Sequence, residues 1–354
     1  MQLAVTGAAG FIGSALCRHV LADGKARVHG IDKLTYAANP VTVAELSALP
    51  GFVLHQADIA DPAALRTALQ SIQPDAIIHL AAETHVDRSI DQTAPFITTN
   101  LNGTYHLLEA ALAYYRSLPQ ARQDQFRFLH VSTDEVYGAL DATGAFSETA
   151  PHAPNSPYAA SKAGAEHLAR AWMQTYGLPV IITNCSNNYG PYQFPEKLIP
   201  NMIIKALHGE TLPIYGQGTN VRDWLYADDH AAALWLILRR GRPGEKYHIG
   251  GRQEIDNLAL VESLCDLLDA RLPAGKHRPH KSLMRFVADR PGHDFRYAMN
   301  IDKITRELGW RPATALAEGL AQTVDWYLAR RDWWEQSRDH YAGERLGLGK
   351  AGHG

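Results

Sequence analysis

Short apolar runs alternate with longer amphipathic stretches along the first half of the chain. The apolar runs span four to six residues and predict strands, whereas apolar positions three and four apart predict helices. The predicted strands are Leu3–Thr6, Arg27–Ile31, Phe52–Gln56, Ala76–Leu80, Arg127–Ser132 and Val180–Asn184, and the predicted helices are Ile12–Asp23, Pro62–Ile72, Phe96–Ser117 and Tyr158–Tyr176. Because the strands are mostly apolar on both faces and are separated by helices, we predict an α/β fold with a doubly wound parallel sheet.

The pattern changes near the middle of the chain, where glycine, proline and isolated polar residues become more frequent. We predict a first domain over residues 1–188, with a returning segment near 219–241 that contains a helix at Asp228–Arg240. A smaller, mixed α/β domain is predicted over 189–334. Five glycines fall within the last twelve residues, so we predict a flexible tail over 335–354.

Composition narrows the class of protein. The 354 residues carry 34 Lys+Arg and 37 Asp+Glu, a formal charge of -3 that argues against nucleic acid as a partner. The longest strongly apolar run, Ala231–Leu238, is much shorter than the roughly 20 residues that span a membrane. Three cysteines without CxxC spacing predict no disulfide framework and favour a cytoplasmic location, and the seventeen histidines suggest no metal site.

Glycines at every third position follow the first predicted strand. Gly7 would permit a tight turn, Gly10 a close approach of the backbone to a pyrophosphate, and Gly13 close packing of helix on strand. The amides at the start of the following helix would then face the phosphate charge. This GxxGxxG spacing is also compatible with a plain turn, but its place between a strand and a helix favours a Rossmann-type dinucleotide site.

Acidic residues after the second and third strands bear on the choice of cofactor. Asp32 lies 19 residues after Gly13, where a carboxylate can accept hydrogen bonds from the adenosine ribose and repel a 2′-phosphate. It therefore favours NAD over NADP, although the neighbouring Lys33 weakens that preference. Asp58 and Ile59 are placed to flank the adenine, with an ordinary helix-capping Asp as the alternative.

Two further segments carry reactive side chains. Tyr158 and Lys162 are four residues apart on one face of a predicted helix, where the ammonium is expected to lower the pKa of the phenol. The segment Ser132–Gly138, directly after the fifth strand, contains the adjacent carboxylates Asp134 and Glu135 at the sheet edge where ligands bind. A surface Tyr–Lys pair, and a capping Asp beside a solvated Glu, are the structural alternatives.

The order of the motifs resembles one family over residues 1–334. The glycine loop and the Tyr–Lys pair resemble the extended short-chain dehydrogenase/reductases, and the other motifs are similar to those of the dTDP-D-glucose 4,6-dehydratases. They are DKLTY (32–36), HLAAETHVDRSI (79–90), STDEVYG (132–138), SPYAASKA (156–163), TNCSNNYGPY (183–192), FPEKLIP (194–200), RDWL (222–225) and DRPGHDFRY (289–297). The chain departs from the family at Ala8, usually Gly, and at Thr84, usually Ser, which keeps the hydroxyl.

The resemblance implies a dehydration that begins and ends with oxidised NAD. Tyr158 would remove the proton of the sugar 4-hydroxyl as hydride leaves carbon 4, and Glu135 would then remove the acidified hydrogen from carbon 5. Asp134 would protonate the departing 6-hydroxyl, after which hydride would return to carbon 6 and a proton would be restored at carbon 5. Thr133 would bond the 4-oxygen, and Lys162 the nicotinamide ribose. Elimination needs an acid and a base in opposite protonation states, which this adjacent pair can supply.

The resemblance also implies the residues around the cofactor and the nucleotide sugar. Those expected to contact NAD are Gly7, Gly10, Phe11, Ile12, Gly13, Asp32, Lys33, Leu34, Thr35, Asp58, Ile59, Leu80, Ala81, Ala82, Thr84, Thr99, Tyr158, Lys162 and Asn188. Those expected to contact dTDP-glucose are Thr84, Thr133, Asn187, Lys197, Leu198, Pro213, Ile214, Tyr215, Arg222, Asn257, Asp289, Arg290, Pro291, Gly292 and His293. Arg222 would pair with the diphosphate, because a guanidinium binds phosphate through two parallel hydrogen bonds.

Several other activities are compatible with parts of this pattern. They are a UDP- or CDP-glucose 4,6-dehydratase, a nucleotide-sugar 4-epimerase, a nucleotide-sugar decarboxylase and a non-catalytic NAD-sensing regulator. A 4-epimerase has no need for Asp134 and Glu135. A regulator has no need for the complete catalytic set.

An apolar stripe on the helix predicted at Phe96–Ser117 bears on assembly. Its members, spaced as on one helix face, are Leu101, Tyr105, Leu108, Leu112 and Tyr115. Packing on the sheet would also explain the stripe. The resembling family, however, pairs this helix and the helix of Tyr158 across a two-fold axis, so we predict a homodimer.

Overall fold

Strands and helices alternate through the first half of the molecule in the order that the apolar pattern predicts. The computed structural model describes residues 1–336 and Leu346. The strands are β1 (Gln2–Thr6), β2 (Arg27–Asp32), β3 (Phe52–Gln56), β4 (Ala76–His79), β5 (Arg127–Thr133), β6 (Val180–Cys185), β7 (Asn187–Tyr189), β8 (Leu212–Tyr215), β9 (Val221–Tyr226), β10 (Lys246–Ile249), β11 (Glu254–Asp256) and β12 (Met284–Val287). The predicted strands are confirmed to within one residue at each end.

The helices agree with the predicted ones equally well, with one exception described below. They are α1 (Phe11–Asp23), α2 (Pro40–Ser47), α3 (Pro62–Ile72), α4 (Val86–Asp91), α5 (Ala94–Phe96), α6 (Thr104–Ser117), α7 (Gln120–Gln123), α8 (Pro157–Tyr176), α9 (Leu198–His208), α10 (Ala227–Arg240), α11 (Asn257–Arg271), α12 (Asp302–Leu308), α13 (Leu316–Ala329) and α14 (Arg331–Glu335). Helix α2 was not predicted. It begins at a proline, and the Asn39 side chain caps it by accepting from the Val41 amide.

The main sheet positions the site. In the described part of the chain, seven parallel strands form it in the order β10-β6-β5-β4-β1-β2-β3. The order changes direction between β1 and β4, because β2 and β3 lie on one side of β1, and β4, β5 and β6 on the other. Ligands bind at the carboxyl ends of the strands beside such a switch point. The predicted doubly wound parallel sheet is confirmed.

Helices cover both faces of this sheet through separate apolar cores. One core joins α1 and α10 to the sheet through residues such as Leu16 and Leu234. The other joins α3, α6 and α8 through Leu69, Leu108 and Trp172. Helix α10 occupies the returning segment predicted near 219–241, and β10 carries the return further along the chain. The division into domains at 188 and 189 stays a prediction.

A second, smaller region follows β6. Within the described residues, β11, β9 and β7 form one small sheet, and β12 and β8 form another. Helices α9, α11 and α13 pack with them around a core that includes Met202, Leu264 and Tyr327. This arrangement has the mixed α/β character predicted for the C-terminal part of the chain.

The helix predicted over Phe96–Ser117 differs most from the structure. It consists of α5, a π-helical segment at Ile97–Gly103, and α6. Asn100, within the π segment, is bound on two sides, because its amide nitrogen donates to the Glu83 carbonyl and to the Ser161 hydroxyl. Apolar positions three and four residues apart predict a helix but do not distinguish a π-helical segment from an α-helix.

The apolar stripe on this helix is divided between core and surface. Leu108 and Leu112 are buried in the core beneath α6, whereas the Tyr105 side chain is 41% exposed.

Of the tail predicted over 335–354, Glu335, Gln336 and Leu346 are described, and the rest lies outside the described residues. Among the helices of the described residues, none has the length and apolarity required to cross a membrane.

Candidate active site

The glycine loop joins β1 to α1 at the switch point of the sheet. Gly7 has a φ of 73°, in the left-handed region, and a Cβ there would lie 2.7 Å from the Ala81 amide nitrogen. A Cβ on Gly13 would lie 2.0 Å from the Gly7 carbonyl oxygen. Both positions therefore require glycine. The first turn of α1, which begins at Phe11, lines a cavity with amides suited to an anion.

Asp32 is fixed at the end of β2 by backbone amides. The Ala9 amide donates to Oδ2 at 3.0 Å, and the Leu34 amide donates to Oδ1 at 2.8 Å. Burial raises the pKa of Asp32, and these two hydrogen bonds oppose the rise. A carboxylate with one orientation at this position suits the hydroxyls of an adenosine ribose.

Lys33, the residue that weakens the preference for NAD, is engaged by other groups. Its ammonium donates to Thr99 Oγ1 at 3.2 Å. It also lies 3.4 Å from Glu83 Oε1 and 3.9 Å from Asp58 Oδ2. Two carboxylates thus balance its charge, so less positive charge remains to attract a 2′-phosphate.

A cavity of about 300 Å³ lies over these elements. The predicted cofactor residues that line it are Gly7, Gly10, Phe11, Ile12, Gly13, Asp32, Lys33, Thr35, Asp58, Ile59, Leu80, Ala81, Ala82, Thr84, Thr99, Tyr158, Lys162 and Asn188. Leu34 is not part of the lining, and its contribution is the backbone hydrogen bond to Asp32. The close-packed glycines and the fixed carboxylate fit NAD, which these residues would hold.

Tyr158 and Lys162 lie on α8, which starts where the Ser156 hydroxyl accepts a hydrogen bond from the Ala159 amide. Both side chains are buried, and the Lys162 ammonium donates to the Val131 carbonyl at 2.8 Å. Burial lowers the pKa of Lys162 to about 8. Burial and the Glu135 charge raise the pKa of Tyr158 well above its usual value, with a smaller opposing effect from a Thr133 hydrogen bond. The net direction of this shift is opposite to the one expected from the Tyr–Lys spacing, because burial outweighs the other effects.

Thr133 and Asp134 begin the turn that follows β5. The Thr133 hydroxyl accepts from the Glu135 amide at 3.3 Å and donates to Asp134 Oδ1 at 3.1 Å. Asp134 is 2% exposed, and its Oδ2 has no hydrogen-bond partner among the described residues. Burial and the neighbouring Glu135 carboxylate raise the pKa of Asp134 well above its usual value. These surroundings favour the protonated form of Asp134.

Glu135 lies beside three cations. Burial raises its pKa, and Arg290, Arg222 and Lys197 oppose the rise. The two adjacent carboxyl groups thus have different surroundings, one with an unpartnered oxygen and the other facing basic residues. Such a difference separates an acid from a base within one site.

A second cavity, of about 240 Å³, meets the first at Glu135. Both cavities are also lined by Thr84, Asn187, Glu196 and Lys197. The predicted substrate residues that line the second are Thr84, Asn187, Lys197, Leu198, Pro213, Ile214, Tyr215, Arg222, Asn257, Arg290 and His293, and Leu346 from the C-terminal segment lines it too. Thr133 lines the first cavity only, and Asp289, Pro291 and Gly292 line neither. Asp289 instead accepts hydrogen bonds from the His293 ring at 2.7 Å and the Arg290 amide at 2.8 Å.

The cations of the second cavity are held in place by the protein. Arg222 donates to the Val221 carbonyl at 2.8 Å and the Asp294 carbonyl at 2.9 Å, and its guanidinium lies 4.5 Å from the centre of the Tyr297 ring. Lys197 donates to the Thr84 carbonyl at 2.7 Å. A buried guanidinium satisfied by neutral carbonyls keeps its positive charge available to an anion such as a diphosphate.

Sequence reasoning missed several residues of the site. Glu83 and Glu196 line the first cavity, and Glu196 accepts from Arg88 Nε at 2.8 Å and from the Tyr36 hydroxyl at 3.2 Å. Glu83 lies within the motif at 79–90 and Glu196 within the motif at 194–200, so these motifs could have indicated both residues. Tyr192 also lines this cavity. In residues 1–336 and at Leu346, no group of three His, Cys, Asp or Glu side chains is arranged to bind a metal ion.

Comparison with known proteins agrees with this geometry. The family model described as GDP-mannose 4,6 dehydratase matches residues 4–323. The chain is 51% identical to a dTDP-glucose 4,6-dehydratase of Neisseria meningitidis (99% of each chain covered) and 52% identical to one of Shigella flexneri (95% of each). The crystal structure of the dTDP-glucose 4,6-dehydratase DesIV of Streptomyces venezuelae, with NAD and dTDP bound, superposes with a TM-score of 0.87 at 48% identity, covering 95% of this chain and 100% of that one. The chain therefore belongs to the GDP-mannose 4,6-dehydratase family and, within it, to the dTDP-glucose 4,6-dehydratases.

Proposed function

We propose that this protein converts dTDP-D-glucose to dTDP-4-dehydro-6-deoxy-D-glucose and water, with NAD as a cofactor that is regenerated in each cycle. The observation that carries this proposal is the Asp134–Glu135 pair. Glu135 lies where the cavity suited to a dinucleotide meets the cation-lined cavity, and Asp134 and Tyr158 line the first of these cavities. An oxidation alone has no use for such a pair, whereas an elimination requires it.

The protein groups have separate tasks in this reaction. Bound NAD would accept hydride from carbon 4 and return it to carbon 6, and its cationic ring would favour the Tyr158 phenolate. Tyr158 takes the proton of the 4-hydroxyl, and the Thr133 hydroxyl orients the 4-oxygen. The resulting ketone acidifies the hydrogen on carbon 5, so the Glu135 carboxylate can remove it. Asp134 gives its proton to the 6-hydroxyl, which leaves as water. Carbon 5 would then regain a proton as hydride returns to carbon 6, and the proton taken from the 4-hydroxyl would replace the one that Asp134 gave up, so the net loss is one water.

Substrate binding falls to the second cavity in this proposal. Arg222 and Arg290 would pair with the diphosphate, because fixed guanidinium groups bind phosphate oxygens strongly. Lys197 contributes further positive charge near Glu135. The dTDP preference rests on the relatives named above, which are called dTDP-glucose 4,6-dehydratases.

Incubation of the purified protein with dTDP-, UDP- and CDP-glucose tests the proposal. We expect the 4-keto-6-deoxy product to form fastest from dTDP-glucose. Faster conversion of UDP- or CDP-glucose would show that the preferred substrate carries uracil or cytosine in place of thymine. A product epimerised at carbon 4 with no loss of water would indicate a 4-epimerase, and NAD binding without any product would indicate a regulator.

We also propose a homodimer formed through the outer faces of α6 and α8. Ile97, Tyr105 and Tyr176 are exposed large apolar residues, and the Tyr105 and Tyr176 rings both contact Trp172 of α8. An exposed cluster of this kind is typical of a protein interface. Light scattering should give twice the 39.0 kDa chain mass at micromolar concentration. A monomer mass would argue against it.

The buried free cysteines suit the reducing cytoplasm, which is the location that we propose.

A further inference from the structure

A buried polar network lies behind the turn that carries Asp134 and Glu135. Its centre is Glu166 of α8, which is 2% exposed and lies on the same helix face as Tyr158 and Lys162, at successive intervals of four residues. The described lining of the two cavities does not include Glu166. A buried carboxylate is costly unless its oxygens are well bound, so its partners reveal its task.

One oxygen of Glu166 connects to the beginning of the turn. The Asn184 amide nitrogen, at the end of β6, donates to Glu166 Oε2 at 2.8 Å. The same nitrogen donates to the Thr133 carbonyl at 3.0 Å. Asn184 therefore links the helix of the Tyr–Lys pair to the residue directly before Asp134.

The other oxygen connects to the end of the turn. Lys246 of β10 forms an ion pair with Glu166 Oε1, and His152 Nε2 lies 3.2 Å from the same oxygen. Lys246 also donates to the Tyr137 hydroxyl at 3.2 Å. Tyr137 is the last residue of the turn. The two ends of the turn are therefore connected to the two oxygens of the Glu166 carboxylate.

The hydrogen-bond directions at Tyr137 and His248 are defined. Burial would raise the pKa of Glu166, but hydrogen bonds from His152 and Lys246 lower it, so the group is ionised. Burial lowers the pKa of His248 to about 3, so this ring is neutral. His248 Nδ1 then donates to the Phe146 carbonyl at 3.2 Å, and Nε2 accepts from the Tyr137 hydroxyl at 2.8 Å.

We propose that Glu166 is a positioning residue that sets the Asp134–Glu135 turn against the Tyr158 helix for the elimination step. Tyr158 itself is placed by the helix backbone, whose amide at that residue donates to the Ser89 hydroxyl at 3.2 Å. The turn has backbone hydrogen bonds of its own, but the bonds that connect its two ends to Glu166 run through the side chains of Asn184, Lys246 and Tyr137. A displaced turn moves both Asp134 and Glu135, so it should impair carbon 5 and carbon 6 chemistry more than the oxidation at carbon 4, to which the turn contributes only the Thr133 hydroxyl. This inference rests on the proposed dehydratase function.

The test replaces Glu166 with Gln in the full-length protein. A carboxylate accepts on both oxygens, whereas an amide accepts on one, so Glu166→Gln must lose either the Asn184 link or the Lys246 link. A small misplacement of catalytic groups can cost about 10²-fold in rate. We expect turnover of dTDP-glucose to fall by about that factor, with formation of enzyme-bound NADH in a single turnover changed by less than about threefold and KM nearly unchanged. NADH should therefore accumulate during turnover.

Two further variants separate positioning from loss of stability. Leu69→Ala shortens a buried core side chain on α3, outside both cavities, so it should lower the melting temperature without accumulation of NADH. Tyr137→Phe keeps the ring that stacks on Phe146 and removes only the hydroxyl between Lys246 and His248. Like Glu166→Gln, Tyr137→Phe should slow elimination more than oxidation, but the loss in turnover should be only about tenfold.

Tyr137→Phe and Leu69→Ala test the positioning role even if Glu166→Gln does not fold. If Tyr137→Phe eliminates water at the wild-type rate, or if either variant slows oxidation and elimination equally, the positioning role is wrong. If Leu69→Ala accumulates NADH as strongly, the effect is one of stability and the inference is also wrong. Failure of the wild-type protein to form the 4-keto product would instead overturn the proposed function itself.

Discussion

Replacement of Glu135 with Gln separates the two halves of the proposed reaction. The variant keeps the shape of the side chain and a hydrogen-bonding group, but it cannot remove the hydrogen from carbon 5. Loss of a positioned general base costs about 10²–10⁴-fold in rate. At about 1.4 kcal/mol for each factor of ten, the barrier to elimination should rise by about 3–6 kcal/mol.

The surroundings of Glu135 predict that the oxidation survives this change. The Glu135 charge helps to raise the pKa of Tyr158, after burial the largest contribution. Removing that charge lowers the phenol pKa and makes the phenolate more accessible, so hydride transfer from carbon 4 should be at least as fast as in the wild type. The same change lowers the pKa of Asp134, because Glu135 also helps to raise it.

The assay follows near-ultraviolet absorbance after Glu135→Gln is mixed with dTDP-glucose. Enzyme-bound NADH and a 4-keto-glucose intermediate should accumulate, and exchange of the carbon 5 hydrogen with deuterated solvent should fall by the same factor as turnover. Glu135→Asp is the matched control, because it keeps a carboxylate and should retain more of the exchange. Near wild-type turnover of Glu135→Gln, or no NADH at all, would refute the reasoning.

The other catalytic and cofactor residues give contrasting phenotypes. Tyr158→Phe should lose about 10²–10⁴-fold in turnover and fail before any NADH appears, which stopped-flow absorbance would show. Asp134→Asn should form NADH and still exchange the carbon 5 hydrogen, but release little product, as measured by the 4-keto-6-deoxy sugar; normal release would remove Asp134 from the role of acid. Asp32→Ala should weaken NAD binding about tenfold and narrow its advantage over NADP, as titration calorimetry would show. Equal affinity of the unmodified protein for both cofactors would contradict our interpretation of Asp32.

Local patterns were sufficient to predict the main sheet and to place the candidate reacting groups at its edge. The strands are continuous apolar runs, and the glycine loop, Asp32 and the Asp134–Glu135 pair each follow a strand directly, so chain position alone places them at one sheet edge. Strand β10 was missed, because the run Lys246–Ile249 has polar residues at alternate positions although it joins the sheet edge beside β6.

Electrostatic relations were harder to predict than positions. Spacing places Lys162 beside Tyr158, but it does not reveal that the ammonium donates to the Val131 carbonyl or that Glu135 acts on the phenol. Two of the partners of Glu166, Asn184 and Lys246, come from the strands β6 and β10, and nothing in the helix of Glu166 indicates them. Such long-range polar contacts are set by the tertiary fold.

The connection of Tyr137 to β10 has a consequence for the order in which the enzyme becomes active during synthesis. The partners of the Tyr137 hydroxyl, Lys246 and His248, lie 109 and 111 residues further along the chain. The glycine loop and Asp32, in contrast, are complete within the first strands. Because chains fold from the amino terminus as they emerge, cofactor-binding structure can form well before the acid–base turn has both of its anchors. We therefore expect a ribosome-bound chain that ends before β10 to acquire dinucleotide binding before it acquires dehydratase activity.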